Sequence, residues 1–203
     1  LSLCNKNFQN INNDDSSKAK HDLLLDVCMA AKYEGESLNT YSAQYDLKYP
    51  SSGSSFTMCT MLARSFADIG DIVRGRDLYL GNKKKNQKET EREKLEGKLK
   101  NIFQQIHSGL SKNGAQNYYE DKDTDKKFFQ LREDWWTANR ETVWEAMTCS
   151  ADTNSAYFHA TCSHVDGRSE YQTQNQCRCD KDKGAKDGDQ VPTYFDYVPQ
   201  FLR

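Results

Sequence analysis

The sequence has no long hydrophobic run, and this lack excludes a membrane span within it. A helix that crosses a bilayer needs about 18 or more consecutive apolar residues, and the most apolar stretch, residues 23–31, is interrupted by Asp26. The chain also begins without an initiator Met and without a basic region followed by an apolar one. We therefore expect it to be cut from a longer protein, with any targeting or anchoring segment outside it.

A strong excess of one charge is lacking too. Lys and Arg number 28 against 30 Asp and Glu, which gives a net charge of −2, whereas a nucleic-acid-binding protein has a strongly basic face. A phosphate-binding loop is also missing, because residues 70–75 lack the Lys-Ser/Thr signature of a P-loop. Nucleic acid is therefore not an expected partner, and no cofactor is expected.

What the sequence does have is cysteine, seven residues in all. Disulfides are rare in the reducing cytosol and common in exported proteins, so this number favours an extracellular, disulfide-bonded chain. An odd count leaves one cysteine without a partner, and Cys4 is the expected one. The other six allow fifteen connectivities. They are Cys28, Cys59, Cys149, Cys162, Cys177 and Cys179. A cytosolic protein with free thiols is the alternative.

Apolar residues recur every three or four positions in four blocks, which predicts four main helices. The first covers about 18–45 and contains Gly35, whose cost of about 1 kcal/mol against Ala is explained by a close helix–helix contact. The second extends from Phe56 to a stop at Gly75, and the third ends at about Leu110. The fourth, about 125–148, carries all three Trp and is apolar over a wide arc, so it should be central.

Residues 150–199 lose this periodicity, hold three cysteines and cannot build a core of their own. Disulfides are expected to hold them on the helices. The predicted fold class is therefore all-α: a bundle of about four main helices with long disulfide-anchored loops. Residues 1–203 form a single module.

Asn139 and Arg140 lie at the edge of the apolar arc of the fourth helix. A buried arginine needs a carboxylate partner, and the candidates on the facing helices are Glu34, Asp68 and Asp71. The alternative is that Arg140 extends along the apolar surface to reach water. These five residues form the predicted structural polar core.

Enzymatic and metal chemistry is only weakly indicated. Thiolates and imidazoles are zinc ligands, but the spacing of Cys177 and Cys179 is tighter than in usual zinc sites. The candidate zinc ligands are His159, Cys162, His164, Cys177 and Cys179. No cysteine lies in a recognisable nucleophile setting, and Asp68 and Asp71 suit ion pairs better than acid–base catalysis. We therefore predict no catalytic residue and no metal site.

Lysine-rich runs suggest one ligand class. Clustered lysines attract sulfated polysaccharide by the electrostatics that govern phosphate binding. The candidate glycan-binding patch comprises Lys83, Lys84, Lys85 and Lys88. A merely solvated lysine run is the alternative.

Four motifs, in order, carry a family resemblance. They are CMAAKYEGES at 28–37; ARSFADIGDIVRG at 63–75, followed by DLYLGN at 77–82; LREDWW at 131–136 with NRETVW at 139–144; and PTYFDYVPQFLR at 192–203. Together they closely resemble the Duffy-binding-like domains of malaria parasites. The match is nearest to the alpha class of the variant erythrocyte membrane protein of the falciparum parasite.

The resemblance implies a cell-adhesion module of a variant surface antigen, displayed on the extracellular face of the infected red-cell membrane, and not an enzyme. Its implied partners are a receptor on host red cells or endothelium, a sulfated glycan or blood-group sugar, as in rosetting, and host antibodies. This segment itself would make no membrane contact. An erythrocyte-invasion ligand of the same fold is the nearest alternative, and a zinc- or thiol-dependent enzyme is a more distant one.

The resemblance also implies boundaries and pairings. The chain would be the central subdomain, residues 1–15 a remnant of the preceding one, and residues 199–203 the start of the following one. Some relatives have Tyr at both positions matching Cys28 and Cys149, which implies that these two pair with each other. The remaining four cysteines would form two further bridges.

Overall fold

The computed structural model describes residues 19–48, 54–79, 89–111, 114–120, 127–151, 160–163, 168–173, 175–180 and 191–203. Within these residues the architecture is mostly helical with almost no sheet, which confirms the predicted fold class. The helices are α1 (Ala19–Lys48), α2 (Ser54–Arg74), α3 (Glu91–Ser108), the single-turn α4 (Ala115–Tyr118) and α5 (Phe129–Thr148). A two-residue antiparallel pair joins β1 (Cys162–Ser163) to β2 (Glu170–Tyr171). Two 3₁₀ turns follow, Phe195–Tyr197 and Gln200–Leu202.

Local sequence signals explain where the helices begin and end. The Thr90 hydroxyl accepts a hydrogen bond from the Glu93 amide, and the Glu93 carboxylate accepts one from the Thr90 amide. This capping box fixes the start of α3. At the other end of a helix, Gly75 has φ +73°, the left-handed conformation that terminates α2 at little steric cost.

The core lies between α1, α2, α3 and α5. Trp136 and Trp144 of α5 are fully buried, and the Phe66 ring of α2 lies 5.1 Å from each of their ring centroids. Helix α5 packs against α1, α2 and α3, so it has the central position that its apolar arc predicts.

Two glycines allow α5 to approach its neighbours closely. A Cβ at Gly35 would overlap the main-chain carbonyl of Met147, and one at Gly70 would lie 2.8 Å from the Trp136 ring. The close contact predicted at Gly35 is therefore present, between α1 and the end of α5.

The described helices differ from the sequence prediction at α4 and at the start of α5. The short helix α4 lies where a loop was expected, because a single turn is too short to produce a periodic apolar pattern. Helix α5 begins at Phe129 rather than near 125, and residues 121–126 lie outside the described part. None of the described helices is both long and apolar enough to cross a bilayer.

Candidate functional site

Residues 191–203, here called the C-terminal strap, are attached to α2 and α5 by buried charges. The Asp196 carboxylate is 1% exposed and accepts hydrogen bonds from Arg140 (Nε–Oδ2 2.9 Å, Nη2–Oδ1 3.0 Å). The Trp136 indole N–H also donates to Oδ2, at 2.9 Å. Bidentate pairing of this kind is the strongest form of an Arg–carboxylate contact.

This pairing corrects the prediction for Arg140. Arg140 is buried and paired with a carboxylate, as one of the two alternatives required. Its partner is Asp196, however, and not one of the predicted candidates Glu34, Asp68 and Asp71. The Arg140 guanidinium also donates to the Thr193 carbonyl at 2.8 Å. Sequence analysis missed Asp196 because the strap has no periodicity from which its position against α5 could be derived.

A second arginine fixes the strap from α2. Arg74 is 1% exposed and donates to the Asp71 carboxylate at 2.9 Å and to the Gly70 carbonyl at 3.0 Å. It also donates to the main-chain carbonyl of Asp196. The same aspartate thus joins the strap to α5 through its side chain and to α2 through its backbone.

Arg203, on the strap itself, faces the two acidic residues of α2. It donates to Asp68 at 3.2 Å and to Asp71. Burial raises the pKa of Asp68 to about 6, although the Arg203 charge opposes the rise. Burial raises the pKa of Asp71 as well, against the charges of Arg203 and Arg74.

The other two residues of the predicted polar core have partners outside this group. Glu34 is buried, and its Oε1 accepts a hydrogen bond from the Ser65 hydroxyl at 3.0 Å. The Asn139 amide donates to the Trp135 carbonyl one turn earlier, at 2.6 Å. The five predicted residues therefore do not form one cluster. Asp68 and Asp71 bind arginines of α2 and the strap, while Glu34 and Asn139 are engaged elsewhere.

Arg132 is a structural residue that sequence analysis missed. It is fully buried and donates to the Glu96 carboxylate (2.6 and 2.9 Å) and to the Val73 carbonyl (2.6 Å). An arginine here satisfies the carbonyls that every helix leaves unpaired in its last turn. The sequence did offer one signal for such a residue. The predicted helix stop at Gly75 implies that the last carbonyls of α2 need a hydrogen-bond donor from elsewhere.

One disulfide attaches the segment beyond α5 to the helices, and a second closes a loop within that segment. One joins Cys59 of α2 to Cys177 across 118 positions, and the other joins Cys162 to Cys179 across 17. The indole N–H of Trp144 donates to the Cys177 carbonyl at 3.1 Å. The bridging segment is thus fixed both to α2 and to α5.

The implied pairing of Cys28 with Cys149 is corrected by the structure, in which both are free cysteines. The Cys28 thiol lies opposite Thr142 and contacts its carbonyl at 3.9 Å. Thr142 precedes Cys149 by seven positions, which is about 10 Å along a helix axis. A disulfide needs Cα atoms within about 7 Å of each other, so this packing register separates the pair. Burial raises the pKa of the Cys28 thiol to about 11.

The candidate zinc ligands are used differently. Cys162, Cys177 and Cys179 are in disulfides and offer no thiolate, while His159 and His164 lie outside the described residues. In the part of the chain that the structure describes, no group of three or more His, Cys, Asp or Glu side chains is placed to hold a metal ion.

Two further predictions fall outside the described residues. The lysine patch, Lys83 to Lys85 with Lys88, lies in the undescribed segment between Tyr79 and Glu89. Cys4 and the rest of residues 1–15 precede the described part.

Two cavities open at the surface where the strap meets the helices. A cavity of about 290 Å³ opens between α1, α2 and the strap. Its lining residues are Leu38, Met61, Arg64, Ser65, Asp68, Gln200 and Arg203. A smaller cavity, about 170 Å³, lies on the other side of the strap, beside Leu78 and Phe201.

Comparison with known proteins gives a consistent result. The model of a family described as the Duffy binding domain matches residues 1–203. No curated protein matches the chain. Among solved structures, the NTS-DBL1(alpha-1) domain of Plasmodium falciparum membrane protein 1 (PfEMP1), varO strain, is 37% identical, with a TM-score of 0.68 over 98% of this chain. The NTS-DBL1-alpha and CIDR-gamma double domain of the same strain is also 37% identical, with a TM-score of 0.69 over 97% of this chain.

A relative of another class is an ICAM-1-binding DBLbeta domain of PfEMP1, which is 31% identical with a TM-score of 0.64 over 97% of this chain. This chain spans 39%, 25% and 38% of the lengths of these three structures, respectively.

Proposed function

Because the chain belongs to the Duffy binding domain family, we propose that it is an adhesion module of an extracellular parasite surface antigen that binds a receptor on host cells. One observation carries the proposal. The family match covers residues 1–203, and the solved relatives are PfEMP1 domains, among them an ICAM-1-binding one. The matched residues form the central subdomain of a larger domain, displayed on the surface of the infected red cell.

The described structure suits such a role. A binding module must hold a surface rigid while its sequence varies, and here the rigidity comes from buried groups. The Cys59–Cys177 disulfide and the Asp196 contacts to Arg140 and Arg74 fix the non-helical segments to α2 and α5. The Cys162–Cys179 disulfide closes a loop within the non-helical segment. Substitutions on exposed loops would leave this frame intact.

Binding rather than catalysis is also favoured by the state of the reactive groups. Of the six cysteines that the structure describes, four are at most 4% exposed and joined in disulfides, namely Cys59, Cys162, Cys177 and Cys179. The other two, Cys28 and Cys149, are free thiols. A disulfide sulfur is neither the thiolate nucleophile nor the metal ligand that such chemistry needs.

The direct test uses the full domain that contains this chain, made with its disulfides formed. Flow cytometry would measure its binding to uninfected human red cells and to endothelial cells. We expect saturable binding to at least one cell type, which is lost when the domain is reduced and alkylated. Equal binding before and after reduction, or no binding to either cell, would contradict the proposal.

The lysine patch remains the proposed site for sulfated glycan. Replacing Lys83, Lys84, Lys85 and Lys88 with Gln in the full domain should lower the salt concentration that elutes it from heparin, because each lost contact reduces counterion release. A matched control replaces four lysines on helix surfaces, namely Lys32, Lys94, Lys98 and Lys100. Equal elution of the two variants would remove the patch from consideration.

A further inference from the structure

Counted over the residues that the structure describes, the cavity between α1, α2 and the C-terminal strap contains one charge without a counterion. Among the residues that the structure describes, no side chain forms an ion pair or hydrogen bond with Arg64, which is exposed on α2 at the cavity wall. Arg203, the other cation of the lining, is paired with Asp68 at 3.2 Å. The net charge available to an incoming group is therefore that of Arg64.

The other polar groups of the lining are already engaged. The Ser65 hydroxyl donates to Glu34. The Gln200 side chain accepts from the Leu78 amide at 2.8 Å and donates to Asp77 at 3.2 Å. A ligand that enters the cavity thus meets one guanidinium with free donors, beside partly buried apolar side chains of Leu38 and Met61.

A guanidinium beside apolar side chains indicates which chemical group would bind in the cavity. A planar guanidinium recognises a carboxylate through two parallel hydrogen bonds. Apolar neighbours suit the stem of a side chain, and methionine adapts its shape to different partners. An arginine next to a partly desolvated apolar pocket is also the usual composition of an interface hot spot.

A sulfated polysaccharide fits this site less well. Such a chain binds through many cations at once, whereas this cavity offers a single unpaired one, next to the Asp68 carboxylate. At about 290 Å³ it lies at the lower limit of pockets for whole small molecules, about 300–1,000 Å³. It is large enough for a side chain and its immediate neighbours.

We propose that this cavity is a docking site for an acidic side chain of a host protein receptor, with Arg64 as its anchor and Leu38 and Met61 as its apolar wall. The inference rests on the proposed adhesive function and specifies its partner as protein.

The test compares Arg64→Glu and Arg64→Ala in the full domain with the charge-matched control Lys94→Glu on the exposed face of α3. Binding to red cells and endothelial cells is titrated on untreated cells, on cells digested with heparinase, and on cells digested with trypsin. We expect both Arg64 variants to bind at least about tenfold more weakly and the control to bind like the wild type. Wild-type binding should survive heparinase and be lost after trypsin.

Three outcomes would overturn the inference while leaving adhesion itself intact. These are unchanged binding by the Arg64 variants, wild-type binding that is lost with heparinase, and a melting temperature that falls only in the Arg64 variants. The last would mean that Arg64 acts within its own domain. Absence of any wild-type binding would instead remove the proposed function, and this inference with it.

Discussion

At the scale of single residues, Gly35 sets the distance between α1 and α5. A Cβ at this position would overlap the Met147 carbonyl, and backbone cannot move aside as a flexible side chain can. We expect Gly35→Ala to lower the free energy of unfolding by about 2–3 kcal/mol, the cost of overpacking a close contact. Urea denaturation of the disulfide-bonded chain would measure it.

Gly97 provides the matched control. It lies on the exposed face of α3, where an added Cβ meets nothing within 4 Å. Gly97→Ala should therefore raise the free energy of unfolding by up to about 1 kcal/mol, because alanine loses less conformational entropy in a helix. Equal effects of the two substitutions would show that helix propensity, and not the α1–α5 contact, governs Gly35.

Asp196 is the second residue whose substitution should lower the stability of the fold strongly. Asp196→Asn would leave the buried Arg140 guanidinium without its counterion, and breaking one side of a buried pair costs about 3–5 kcal/mol. Glu36→Gln removes one side of the exposed Lys32–Glu36 pair, 3.8 Å apart, and should cost under about 1 kcal/mol. Thermal unfolding of both variants would compare them, and a small effect at Asp196 would contradict the strap attachment described here.

At the scale of elements, the contact between α2 and the strap should respond to pH. The pKa of Asp68 is about 6 in the folded chain against 3.8 for the free side chain, so the folded state binds the proton first as the pH falls. The contribution of Asp68 to stability therefore increases as the pH falls through about 6, and levels off near 3.8. Asp71, whose pKa burial also raises, acts in the same direction.

The measurement compares the wild type with Asp68→Asn at pH 7 and pH 5. Between these values the wild type should gain about 1 kcal/mol more in free energy of unfolding than the variant does. Charges distant from Asp68 titrate alike in both proteins and cancel in the difference, whereas Asp71, which shares Arg203 with Asp68, belongs to the measured effect. A difference of the opposite sign would mean that the pairing with Arg203 outweighs the burial of Asp68.

At the scale of the whole molecule, the two disulfides should contribute unequally. In the chain-entropy model, closing the 118-position loop of Cys59–Cys177 stabilises by about 5 kcal/mol, and closing the 17-position loop of Cys162–Cys179 by about 3 kcal/mol. Replacing each pair with Ser and measuring unfolding in urea would test the order. Equal losses would indicate that the Cys59–Cys177 bridge does not constrain the unfolded chain as this model requires.

The sequence by itself determined the helices and the family. Periodic apolar residues located four main helices, since a buried face leaves its pattern in the chain. Gly35 indicated a close contact because glycine destabilises a helix interior, and a close packing contact offsets this loss. The motifs from CMAAKYEGES to PTYFDYVPQFLR identified the family without any coordinates.

Only the tertiary structure decided which distant residues meet. Arg140 takes its carboxylate from Asp196, 56 positions away, and the axial register of α1 against α5 keeps Cys28 from Cys149. The packing of α5 against α2 and α3 likewise brings Arg132 to Glu96 and to the end of α2. A local pattern specifies which face of a helix is buried, but not which partner covers that face. The packing register of the helices decides the partners of Arg132 and Cys28. The path of the strap decides the partner of Arg140, and that path leaves no periodic trace in the sequence.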